Sequence, residues 1–243
     1  MPLFNKKNIV RFLTLAASFL IAVTTKATPD NALANLKTAY PDFIKKVSHR
    51  YIFWKDGTIL PLRITPNGSG PVDNDDDGRV RYEYLFRKMY GNSRDEVEKN
   101  LVIIYWMPHV YGKRYPLQVT RINGVDKRLM RVSAALEKLP RTFYKYVKNP
   151  QGTYCWRNIA HTYRLSTHSF GTTIDINRKY SDYWQWDLEK TGRKISETAP
   201  VKYRNRIPLN IVRIFQQNGF IWGGDWEHYD TMHFEYRPEL ATA

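Results

Sequence analysis

Apolar positions along the chain fall into short groups, and the spacing within each group names an element. "DNALANLKTAY" (30–40) has helical spacing and is stopped by Pro41. "YIFWKDGTIL" (51–60) predicts two short strands around an Asp56-Gly57 turn. Ser93 and Glu96 stand at capping-box spacing, so a helix begins there. "LVIIYW" (101–106) is β-branched and aromatic and predicts a buried strand, and "PLQVTRI" (116–122) returns beside it across a turn at Gly112. Leu129, Val132, Leu136 and Leu139 share one helical face, and Pro140 ends that helix. Late in the chain Pro208 opens a second helix whose Ile211, Val212 and Phe215 form one side, with Gly219 as its C-terminal stop.

Two segments alternate with period two. In "TTIDIN" (172–177), Ile174 and Ile176 take one face, and Thr173, Asp175 and Asn177 take the other. In "MHFEY" (232–236), Met232, Phe234 and Tyr236 form the apolar face, and His233 and Glu235 point away from it. There is no βαβ rhythm and no repeat. The pattern predicts one α+β domain over 28–243, an antiparallel sheet flanked by helices.

The first 27 residues differ from the rest. Lys6, Lys7 and Arg11 precede the apolar run "FLTLAASFLIAV" (12–23), which is short for a bilayer span, and small residues follow at Thr25 and Ala27. This reads as a signal peptide over 1–27, cleaved after Ala27, with the mature protein exported to the periplasm or secreted. No other stretch has the length and apolarity of a membrane span. Removing Lys6, Lys7, Arg11 and Lys26 lowers the formal charge from +15 to +11. So basic an exported protein seeks anionic surfaces, and charge alone does not choose among them. With Cys155 the one cysteine, no intramolecular disulfide forms, and its aromatic neighbours predict a buried structural thiol.

"DNDDDG" places Asp73, Asp75, Asp77 and Gly78 as in the start of an EF-hand loop, but position twelve is Tyr84, not a bidentate acid. A solvated acidic turn fits better. The stronger candidate lies in "STHSFGTTIDIN" (166–177), where Gly171 permits a tight turn between His168 and Asp175. His233 is a third ligand candidate, and Asp230, three residues before it, can sit beside a metal without binding it. Two histidines, one aspartate and an open position make a catalytic zinc shell. A satisfied polar pair inside a core is the competing reading, and the residues alone leave both open.

"SxHxxGxxxD" followed by "DxxH", here Ser166, His168, Gly171, Asp175, Asp230 and His233, resembles the D-alanyl-D-alanine carboxypeptidase family of zinc peptidases. "GFIWGGDW", "DTMHFEYRPEL", "WRNIA", "YPDF", "KMYG" and "YWQW" resemble its exported bacterial branch. The family includes vancomycin-resistance peptidases and phage L-alanyl-D-glutamate endopeptidases, and shares its zinc-site fold with the hedgehog signalling domain. The resemblance implies one zinc ion held by His168, Asp175 and His233, with Asp230 as the general base. It also implies an upstream arginine against the substrate. Arg157 fits, and Arg164 is its rival. Ser166, Trp184 and Trp186 are candidates for substrate contact. His161, where relatives often have glycine, and His228 stay at the rim or surface.

The implied substrates are peptidoglycan stem peptides, which carry free carboxylates suited to an arginine clamp. A D-alanyl-D-alanine carboxypeptidase is the leading reading, and an L-alanyl-D-glutamate-type endopeptidase the alternative. A non-catalytic zinc-containing wall-binding module is a third, against which the retained ligands and base argue. Nucleic acid is excluded as a partner, since no recognition motif accompanies the charge.

Overall fold

Short helices and strands alternate through the computed structural model, which describes residues 35–48, 50–61, 75–76, 79–80, 83–159, 163–190, 192 and 201–241. Residues 1–27, expected to be a signal peptide, and Asp73, Asp77, Gly78 and His161 lie outside the described residues. Among those described, no helix is long and apolar enough to cross a membrane.

Helix α1 covers 35–39. Strands β1 (Ile44–Val47), β2 (Tyr51–Trp54) and β3 (Ile59–Pro61) form an antiparallel sheet, turning at Gly57 with φ 89° as the Asp-Gly signal requires. The acidic loop contributes a two-strand hairpin, β4 (Asp75–Asp76) and β5 (Arg79–Val80). Helix α2 (Glu83–Tyr90) precedes α3 (Arg94–Glu98). The Ser93 side chain caps α3 by accepting from Glu96 N–H at 3.3 Å, and Glu96 reaches back to Asn92 N–H at 2.7 Å.

Among the described residues, strand β6 (Leu101–Tyr105) pairs only with β7 (Pro116–Thr120), across α4 (Pro108–Tyr111) and Gly112. The expected buried strand is therefore half exposed. Ile104, Leu117 and Val119 are buried, while Ile103 is 62% exposed. An antiparallel pair with one face on α5 (Val125–Leu136) leaves its other face to solvent. Helix α5 buries Leu129, Val132 and Leu136 and stops short of Leu139, four residues before Pro140. Helix α6 (Tyr144–Val147) follows.

Strand β8 (Thr173–Asp175), α7 (Trp184–Lys190), α8 (Leu209–Gln216), β9 (Phe220–Trp222) and β10 (His233–Tyr236) complete the order. The antiparallel order β8-β10-β9 puts β10 in the centre. Its Phe234 stacks on Phe215 of α8 with ring centroids 3.8 Å apart, backed by Trp222. One main core joins this sheet to α1, α2, α5, α8 and β6-β7. The one sheet that alternation predicts is instead four small antiparallel ones among the described residues.

Candidate metal centre

His168 lies on a single 3-10 turn, Thr167–Phe170, whose N-cap is Ser166 and whose exit is Gly171. Gly171 has φ 65°, and a Cβ there would stand 2.7 Å from Leu101 Cδ2 and 3.1 Å from Thr120 N. Glycine is required on both counts. The chain then enters β8, where the buried Ile174 and Ile176 turn Asp175 the other way. His233 is the direct partner of Asp175 across the β8-β10 pairing, and Glu235 that of Thr173. Register thus brings His233 and Asp175 together from 58 positions apart in the chain.

His168, Asp175 and His233 offer ligand atoms that all lie within 4.8 Å of one another, and this is the one such group of metal-binding side chains among the described residues. His168 Nε2 stands 3.2 Å from one Asp175 oxygen, and His233 Nδ1 stands 2.9 Å from the other. Both imidazoles are buried, and the carboxylate is partly open.

The far nitrogen of each ring settles what the near one can do. His168 Nδ1 faces the Thr153 carbonyl at 3.2 Å, and a carbonyl only accepts, so Nδ1 carries the proton. His233 Nε2 faces Glu235 Oε2 at 3.2 Å. That oxygen also accepts from the Thr167 hydroxyl at 3.1 Å, and Glu235 Oε1 accepts from Arg237 Nη1 at 3.1 Å, so Glu235 is an ionised acceptor and Nε2 donates to it. Once His233 gives up the proton that faces Asp175, both near nitrogens aim lone pairs at one carboxylate, an arrangement of acceptors that a cation between them would satisfy.

Charge agrees with the donor set. Glu235 and Glu239 share the Arg237 guanidinium, which bonds both, and Asp175 adds a third carboxylate beside the two imidazoles. Of these four groups, the excess is two negative charges, the amount a dication neutralises. A proton answers the same demand in part. Burial works against charge on His233, but Asp175 and Glu235 outweigh it and push its pKa up to about 9. Burial also works against charge on Asp175, yet His168 and His233 hold its carboxyl well below the usual range. Two imidazoles and a carboxylate suit zinc.

The remaining expected residues are placed as follows. Asp230 is half-buried in the loop before β10 and bridges to Tyr183. Its carboxylate accepts from Met232 N–H at 3.3 Å, and its carbonyl from His233 N–H at 3.2 Å. The Tyr183 hydroxyl is pushed up by burial, then by the Asp230 charge, with Arg157 pulling the other way. Arg157 is exposed, and its backbone pairs with Ser166 and with the Ser169 hydroxyl. Arg164 is half-buried, its carbonyl accepting from Ile159 N–H. Ser166 is buried, and its hydroxyl accepts from His168 N–H at 3.4 Å, a grip on the ligand turn. Trp184 is buried with Leu188 and Tyr229 and lies on His228 at 4.3 Å between centroids. Trp186 is half-buried under Arg178.

Cys155 corrects its expectation, because the thiol is exposed. Its backbone N–H bonds the His168 carbonyl, and in this extended stretch it is Thr153 that turns inward. Two site neighbours lie beyond the sequence pattern. Trp226 lies 5.3 Å from His233 between ring centroids, and Gly223 admits it, since a Cβ there would stand 3.0 Å from its ring. Glu235 is fully buried behind His233 and does not face the opening. Alternation set Glu235 on the His233 face, but only its contacts with Thr167 and Arg237 show that this face is covered there.

No curated protein and no solved structure matches the chain. A family model described as D-alanyl-D-alanine carboxypeptidase matches residues 160–236. That span contains His168, Asp175, Asp230 and His233, with Arg157 just before it. Over residues 160–236, about a third of its length, the chain is similar to the D-alanyl-D-alanine carboxypeptidase family.

Proposed function

We propose that the protein is a zinc-dependent peptidase that hydrolyses peptidoglycan stem peptides, removing a terminal D-alanine in the manner of D-alanyl-D-alanine carboxypeptidases. The observation that carries this reading is the orientation of His168 and His233. Their far nitrogens are committed to Thr153 and Glu235, and their near nitrogens converge on Asp175 inside the family-matched span. His168 Nε2, an Asp175 oxygen and His233 Nδ1 would hold the ion. When bound, zinc supplies a Lewis acid that polarises a carbonyl and makes water nucleophilic near neutral pH.

Asp230 is the base in this reading. Its loop ends where β10 begins, so its carboxylate takes a proton from the attacking water and returns it to the leaving amine. Arg157, exposed and within electrostatic reach of Tyr183, receives the free carboxylate of the stem peptide. Trp226 walls His233 and limits water on that side. The positive, lysine-rich and arginine-rich chain favours approach to an anionic wall. The apolar run at 12–23 after a basic start supports export to that compartment.

The test is incubation of the zinc-loaded protein with purified stem peptides ending in D-alanyl-D-alanine, with mass spectrometry of the products. Loss of one terminal alanine is the expected result. Cleavage between L-alanine and D-glutamate would select the endopeptidase, and intact peptides with zinc bound would select the non-catalytic wall-binding module.

A further inference from the structure

Behind His233 a chain of buried charged groups runs away from the site and ends in a part of the protein outside the family-matched span. Glu235 Oε1 accepts from Arg237 Nη1 at 3.1 Å, and Arg237 Nε donates to Glu239 Oε1 at 2.6 Å. Glu239 Oε2 accepts from the Tyr40 hydroxyl at 2.6 Å. Glu235, Arg237, Glu239 and Tyr40 are each 0–1% exposed. Tyr40 follows α1, near the start of the described chain, and Asn35 of α1 reaches the Glu239 carbonyl at 3.5 Å. Arg237 also lies over the Phe86 ring of α2 at 5.2 Å.

Burying two carboxylates and a guanidinium is costly unless each is paired and hydrogen-bonded, and an apolar ladder of equal volume would be at least as stable. Stability alone therefore does not account for the ladder. What an apolar replacement could not do is keep Glu235 ionised and fixed as the acceptor for His233 Nε2. That acceptor decides which ring nitrogen carries the proton and which presents its lone pair to the ion.

We propose that Glu235 is the positioning residue for the metal ligand His233, and that the Arg237–Glu239–Tyr40 ladder sets Glu235, so that the segment around α1 is part of the metal centre. This rests on His233 being a metal ligand, the reading given above. Arg237 orients one oxygen of Glu235, which leaves Oε2 for His233 and Thr167. Glu239 holds the guanidinium from the other side, and the Tyr40 hydroxyl holds Glu239. Each member is a rigid or bidentate group with few rotamers left once buried, so displacement at Tyr40 is passed on to His233.

The test measures zinc affinity of the full protein by competition with a chelator. It is paired with the nitrogen-15 NMR shift of Nε2 in the zinc-bound His233 ring, which reports its hydrogen bond to Glu235, and with the unfolding temperature of the metal-free form. Glu235→Gln should weaken zinc by roughly 10–100-fold and move the Nε2 resonance towards that of a weaker hydrogen bond. Tyr40→Phe, which removes one oxygen more than two residues along the ladder from the ion, should weaken it by roughly 2–30-fold. Tyr144→Phe deletes a hydroxyl bonded instead to the Glu137 carbonyl at 2.7 Å. That control should lower the unfolding temperature and leave zinc affinity alone. Tyr40→Phe that behaves like Tyr144→Phe overturns the ladder, even if Glu235→Gln fails to fold. A wild-type protein that binds no zinc overturns the metal reading itself, and is told apart by needing no variant.

Discussion

Raising the pH of the chelated, metal-free protein should destabilise it over a window set by His233. The folded pKa is about 9, against 6.5 for an ordinary histidine. Below about pH 6.5 both the folded and unfolded chains hold the proton, and the stabilisation is fully present. Between there and about pH 9 the unfolded chain releases its proton first, and the stabilisation falls with each step. As the pH passes through about 9 the folded imidazole releases too, and the contribution is gone. A difference of about 2.5 pKa units is worth about 3 kcal/mol. For a chain of this size that corresponds to roughly 6–12 °C of melting temperature. The assay is thermal unfolding by circular dichroism in chelator, at half-unit steps from pH 6 to pH 10, with His233→Gln alongside. Wild type should lose stability across the window, and His233→Gln should not share that component. Saturation with zinc should abolish the slope, because a coordinated imidazole is already unprotonated at Nδ1. A metal-free wild type whose unfolding temperature is flat or rising from pH 6.5 to 9 would falsify the description of His233 as charged between Asp175 and Glu235.

Asp230→Asn should keep zinc and folding while turnover on stem peptides falls by roughly 10²–10⁴-fold, the worth of a positioned base; full activity would move the role elsewhere. Asp175→Asn should instead lose zinc, because a neutral amide is a poor ligand for a dication, and retained zinc by metal analysis would contradict the ligand set. Gly171→Ala should cost about 2–4 kcal/mol, from a strained φ and a Cβ 3.1 Å from Thr120 N, and should loosen His168. Denaturant unfolding unchanged from wild type would contradict this. Protein recovered from cells should begin at Thr28, and an intact residue 1 in N-terminal sequencing would contradict cleavage after Ala27.

The site residues were more legible in the sequence than the sheet around them. Period-two alternation in "TTIDIN" and "MHFEY" separates Asp175 and His233 from their apolar neighbours, and that inference needs only local geometry. The helices Val125–Leu136 and Leu209–Gln216 were equally plain, since their faces, capping and stops are local signals. What the sequence could not supply was depth. Whether β6 lies inside or at an edge depends on what pairs with it, and only β7 does, so Ile103 stays in solvent. Cys155 sits between two aromatics yet is exposed, and its backbone is held by a bond to His168 that no neighbour in sequence announces. Glu235 is the plainest instance. Alternation puts it on the His233 face, where it could pass for a base. Its contacts with Thr167, 68 positions away, and with Arg237 bury it instead.

The pairing of His233 with Asp175 joins points 58 residues apart, and the loop between them carries α7, α8 and β9. An ion gripped by both strands and by His168 would act on that loop as a cross-link. By the chain-entropy relation used for disulfides, tying a loop of this length restricts the unfolded chain by about 4 kcal/mol. With Cys155 alone, the protein has no intramolecular sulfur staple to do this. A metal tether differs from a disulfide in being undone by chelators and acid and untouched by reductants. The atoms that would carry the chemistry would then also fasten the largest part of the C-terminal fold, and metal supply would govern how long the protein lasts as well as how fast it works.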